Sequence, residues 1–104
     1  MAETLNSKSV TSVIIIEDYK LTRVGLKSAL NEYETINVVA EAEDAEEGIE
    51  IIKKLNPDVV LMDVGLPGMN GFEATIKIKE LGLNTKVIIL TSHERGEEVL
   101  AALG

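Results

Sequence analysis

At 104 residues, with 45% hydrophobic and 27% charged residues, the chain has the size and composition of one soluble globular domain. It contains no cysteine, which excludes disulfides, thiolate metal sites and a cysteine nucleophile and fits a reducing compartment. A net charge of −8, no Lys/Arg cluster, and aromatic residues limited to Tyr19, Tyr33 and Phe72 argue against direct binding of nucleic acid.

In chain order, residues 1–12 are polar and mixed in charge. They read as a flexible N-terminal segment rather than a signal peptide, and no apolar stretch is long enough to cross a bilayer. These features predict a cytoplasmic protein with no membrane association. Val13–Ile16 is an uninterrupted apolar run, the pattern of a strand buried on both faces, and Glu17-Asp18 ends it. A helix follows from Tyr19-Lys20, with Leu21, Val24, Leu26, Ala29 and Leu30 mostly at helical spacing, and a second strand covers Ile36–Ala42. Asp44 with Glu47 resembles a capping box opening a helix that carries Ile49, Ile51, Ile52 and Leu55 and stops at Asn56-Pro57.

A third apolar run from Asp58 to Met62 leads into Asp63, and a loop with Gly65, Pro67, Gly68 and Gly71 follows. A third helix spans Phe72–Leu81 with Gly82 as its cap, and a fourth strand spans Thr85–Leu90. Ser92 is placed to cap a last helix over residues 94–103. Strands alternating with helices predict an α/β fold, with a parallel sheet, right-handed crossovers and helices on both faces. The fourth strand is as apolar as the first and third, so it expects neighbours on both sides, and an open edge there invites pairing.

Glu17, Asp18 and Asp63 are the chemical signal. Each alone reads more readily as a cap or a solvated loop acid than as a ligand. Delivered together by two buried strands to one sheet edge, they read as a cation site where open α/β sheets place their chemistry. Magnesium needs only one or two carboxylates, because it keeps several waters. Asp18 and Asp63 can supply them, with the Gly65 backbone carbonyl as a further ligand and Glu17 acting through water. A carboxylate beside magnesium can also act as a nucleophile toward phosphorus. Thr91 is the candidate hydroxyl for the phosphoryl oxygens, Ser92 a weaker one, and Thr91 reads equally as the residue starting a helix. His93 is the only histidine and reads as a surface residue. Neither a Walker-type loop nor a dinucleotide fingerprint is present.

With Glu17-Asp18, Asp63, the spacing from Asp63 through Pro67 to Gly71, and Thr91-Ser92, the chain resembles a response-regulator receiver domain over residues 13–104. Thr91-Ser92-His93-Glu94 looks most like the subfamily with a C-terminal helix-turn-helix output domain. The resemblance implies a flavodoxin-like, three-layer fold whose fifth strand, fifth helix, conserved lysine and switch aromatic would lie after Gly104, so it implies a receiver cut short. It also implies that Asp63 is phosphorylated by a histidine kinase or phosphotransfer protein, that Glu17 and Asp18 organise Mg2+, and that Thr91 is the switch hydroxyl. The output would be a changed binding surface, not enzymatic turnover. The alternative is a phosphorylation-impaired fragment acting as an interaction module, self-associating through its exposed sheet edge. A magnesium-dependent phosphatase with an aspartate nucleophile is disfavoured, because Gly65 stands where a second Asp is expected.

Overall fold

The structure, a computed structural model, describes residues 9–90. Its elements are β1 (Thr11–Ile16), α1 (Lys20–Leu30), β2 (Ile36–Ala42), α2 (Ala45–Leu55), β3 (Val59–Asp63), α3 (Gly71–Glu80) and β4 (Lys86–Leu90). All strand pairs are parallel and the order is β2-β1-β3-β4, the α/β arrangement that the alternating pattern predicts. Thr91, Ser92, His93 and the helix expected over 94–103 lie outside the described residues, as do residues 1–8.

The apolar runs become the two central strands. Ile14, Ile15 and Ile16 are fully buried, as are Val60 and Met62; burying one such side chain is worth roughly 1.5–3 kcal/mol. Because side chains alternate along a strand, Ile14, Ile16, Val60 and Met62 share one face. There they form the main core with Ile49 and Ile52 of α2 and Ala74 and Ile78 of α3. Ile15 faces the opposite side, and α1 packs on that side across β1 and β2. In β4, Ile88 remains 48% exposed, and among the described residues the strand has no partner on its outer side.

Several boundaries differ from the sequence reading, among them the end of α3 at Glu80 rather than Leu81, and three have a clear local reason. β1 begins at Thr11, two residues before the apolar run and inside the expected flexible segment 1–12. Ser12 is held there by Asp58: its backbone N–H and hydroxyl donate to Asp58 Oδ2 at 2.8 and 3.1 Å. α3 starts at Gly71, because Asn70 and Glu73 form a full capping box that the sequence reading missed. β4 starts at Lys86, since the Thr85 hydroxyl donates to the Pro57 carbonyl at 2.6 Å and is buried in the turn. The expected box at Asp44 is only half formed. Asp44 accepts from the Glu47 N–H at 2.8 Å, but Glu47 returns its bond to the Glu43 N–H at 3.1 Å.

One irregularity has a consequence for charge placement. Val13 pairs with Val38 and Ile14 with Ala40, so Val39 is an extra residue in β2. Since the side-chain period is two, one extra residue inverts the facing of everything after it. Glu41 therefore pairs with Ile15, on the α1 side, and Ala42 pairs with Ile16, on the core side. Without the extra residue, Glu41 would face the apolar core.

Candidate functional site

Parallel pairing of Ile16 with Met62 carries the chain one residue further to Glu17 and Asp63 on neighbouring strand ends. Asp18 follows in the β1–α1 turn. The three side chains offer carboxylate oxygens that all lie within 4.8 Å of one another. Glu17 and Asp63 are each only 5% exposed. Like charges at such spacing in a partly dry site repel.

Glu17 registers that repulsion. Its carboxyl is pushed above the ordinary 4.5, first by burial and then by the Asp63 and Asp18 charges, while a bond from the Tyr19 N–H at 3.0 Å opposes the rise. Asp18 Oδ1 is buried and has no donor among the described residues. A buried acceptor without a donor is costly, and a hard cation is the partner such an oxygen set suits. The donor set thus fits magnesium: oxygen ligands only, and an orphaned buried oxygen among them.

The loop after β3 closes over the strand end. The Val64 N–H donates to Leu90 O at 3.2 Å, and the Gly71 N–H donates to Val64 O at 3.1 Å. A Cβ at Gly71 would lie 2.9 Å from Asp63 O and 3.0 Å from Val64 Cα, so only glycine permits this approach. Gly68 adopts the left-handed turn that the loop needs, with φ 73°. Val64 and Leu66 are buried and anchor the loop, whereas Gly65 and Pro67 are exposed. Among the sequence candidates, Glu17, Asp18 and Asp63 are brought together; Gly65 sits in the adjoining turn; Thr91 lies outside the described residues.

Arg23 was not a sequence candidate. Its side chain is 12% exposed, and Nη1 donates to the Glu17 backbone carbonyl at 2.8 Å. Nε donates to Glu41 Oε1 at 3.2 Å, and Lys27 Nζ lies 3.0 Å from Glu41 Oε2. A legible signal did exist: Glu41 is a single acid between Ala40 and Ala42 in an apolar strand, and Arg23 and Lys27 lie four apart on the preceding helix.

Residues 13–104 match the family described as the response regulator receiver domain, and the chain belongs to that family. It is 32% identical over 99 residues to the nitrate/nitrite response regulator protein NarL of Escherichia coli K12, covering 95% of this chain and 46% of that protein. The chain therefore spans about half the length of that relative. Its fold matches the signal receiver domain of the response regulator NarL from Mycobacterium tuberculosis with a TM-score of 0.78 and 34% identity, over 82% of this chain and 68% of the other. A DNA-binding response regulator of the LuxR family from Staphylococcus aureus matches with a TM-score of 0.78 and 31% identity, over 90% and 78% of the two chains. The flavodoxin-like, receiver-type fold expected from the sequence is thus the fold observed. Among the described residues, no helix is long and apolar enough to cross a membrane.

Proposed function

We propose that this chain is a phosphoacceptor switch. Asp63 would take a phosphoryl group from the phosphohistidine of a histidine kinase or phosphotransfer protein, in the presence of Mg2+. The observation that carries this reading is the group of three carboxylates, with the orphaned Asp18 oxygen, at the carboxyl ends of two adjacent parallel strands. Asp18, Asp63 and Glu17 would hold the cation, with the Gly65 carbonyl as a candidate further ligand. When bound, magnesium supplies positive charge against the phosphoryl oxygens.

In the transfer, a carboxylate oxygen of Asp63 forms the new bond to phosphorus. The phosphorus–nitrogen bond of the donor breaks, and its electron pair leaves on the imidazole. Glycine at position 71 lets the loop lie close against the Asp63 main chain, where a side chain would displace it. The family resemblance gives Thr91, which lies outside the described residues, the switch role: its hydroxyl would donate to a phosphoryl oxygen and bias the neighbouring surface between two states. The result is a changed binding surface rather than turnover of a substrate. In a longer protein of the LuxR type, that surface would control transcription in the cytoplasm.

The test is intact mass after incubation with Mg2+ and acetyl phosphate. A labile phosphoryl adduct is expected on the wild type and absent from Asp63→Ala. A folded wild-type chain, checked by circular dichroism, that takes up no phosphoryl group would overturn the reading. A second partner reading, self-association along β4, is supported by the place of β4 at the sheet edge, with no outer partner among the described residues. Light scattering after size exclusion that found a folded monomer at high concentration would sink it.

A further inference from the structure

We infer that Arg23 is a positioning residue for the acidic site, holding the Glu17–Asp18 peptide so that the Asp18 carboxylate stays aimed at the cation. The inference rests on the proposed cation site and adds a residue that touches neither metal nor phosphoryl group. The polar groups around Glu17 show why a single arginine matters. The Glu17 N–H donates to Ala42 O at 3.0 Å, and its side-chain Oε2 accepts from the Tyr19 N–H at 3.0 Å. Its carbonyl, the oxygen of the peptide that joins Glu17 to Asp18, accepts from Arg23 Nη1 at 2.8 Å. Rotation of that peptide would swing Asp18, and the arginine bond opposes the rotation.

The guanidinium is itself fixed. The Arg23 side chain is 12% exposed, and Nε is held by Glu41 at 3.2 Å. Glu43 lies at the outer limit of pairing, 4.0 Å from Nη2. Glu41 in turn is gripped on its other oxygen by Lys27, and it faces α1 only because of the extra residue Val39 in β2. A planar fork can hold a carboxylate and a carbonyl at once, which an ammonium cannot do with the same rigidity. Outer residues that orient metal ligands typically change metal affinity 10–100-fold when removed.

Electrostatics and positioning predict opposite signs here, and that makes the inference testable. Arg23 is a positive charge near three acids, so if it acted only by its charge, removing it would tighten cation binding. As a positioning residue, its removal weakens binding. The experiment is calorimetric titration of Mg2+ into the full chain, for wild type, Arg23→Met and Arg23→Lys, well below each melting temperature. Arg23→Met is expected to bind Mg2+ about tenfold more weakly. Arg23→Lys, which keeps the charge, is expected to stay several-fold weaker than wild type, and it decides alone should Arg23→Met unfold. Unchanged or tighter binding in Arg23→Met, or full recovery in Arg23→Lys, overturns the inference. A purely structural role would lower the melting temperature and leave Kd at wild type. A folded wild type that binds no Mg2+ overturns the cation site and this inference together, whereas wild-type binding with unaltered variants overturns this inference alone.

Discussion

The two ends of β3 carry the same residue type under opposite conditions. Asp58, just before the strand, is wrapped in donors: the Ser12 N–H and hydroxyl both reach its Oδ2, and its own N–H donates to Ser12 Oγ at 2.9 Å. Its carboxyl is held below the ordinary 3.8 by those bonds. Asp63, at the other end, lies among acids, with Glu17 pushed upward and an Asp18 oxygen lacking a donor. One end is a lock that stitches β1 to β3. The other gathers three carboxylates, a set whose negative charge suits a cation. A strand with contrasting ends can be stitched to its neighbour at one and carry a candidate cation site at the other.

The sharpest way to break the contrast is to remove a charge from each end. Asp18→Asn is expected to weaken Mg2+ binding by at least about a hundredfold, because a ligand should matter more than the residues that orient it. Asp58→Asn should leave Mg2+ affinity unchanged. Calorimetric titration of both variants tests the pair, and equal effects would erase the distinction.

Next in size is the backbone approach that closes the acidic end. Gly71→Ala places a methyl against Asp63 O and Val64 Cα, main-chain atoms that cannot yield as a flexible side chain can. A loss of about 1–3 kcal/mol is expected in urea unfolding. Gly25→Ala, on α1 with nothing within 4 Å of the new methyl, should instead gain up to about 1 kcal/mol.

Smaller effects follow from titration. Glu17 binds its proton more readily in the folded state, so at neutral pH its ionised form lowers the stability of the metal-free fold. Glu17→Gln should therefore raise the metal-free melting temperature at pH 7 by about 2–5 °C. The advantage should shrink as pH falls through the raised folded pKa and vanish below about 4.5, where the glutamate is protonated in both states. Asp58 has the reverse sign. Its stabilisation is present above 3.8 and lost as pH falls through its lowered folded pKa. Melting curves of Asp58→Asn against wild type should differ modestly at neutral pH, since the group is exposed, and converge at the acid end.

Much of this molecule is legible in its sequence. The uninterrupted run Val13–Ile16 and the apolar run into Asp63 identify the buried central strands, because only a sheet covered on both faces tolerates such runs. The acids that end those runs fall at the same sheet edge in any parallel arrangement of the two strands. In the sequence Gly71 reads only as part of the loop after Asp63, and its close approach to Asp63 O belongs to the structure. The family follows from the same residues.

What the sequence does not contain is register. The extra residue at Val39 cannot be read from Ile36–Ala42, yet it decides whether Glu41 faces the core or meets Arg23 and Lys27. Ser12 likewise looks like part of a polar tail until Asp58, far away in the chain, draws it into β1. The physical reason is common to both. Local pattern fixes which residues are apolar and how often they recur, but the facing of a polar side chain depends on the strand opposite and on the donors it brings within reach. Those are properties of the assembled sheet, and only the tertiary structure decides them.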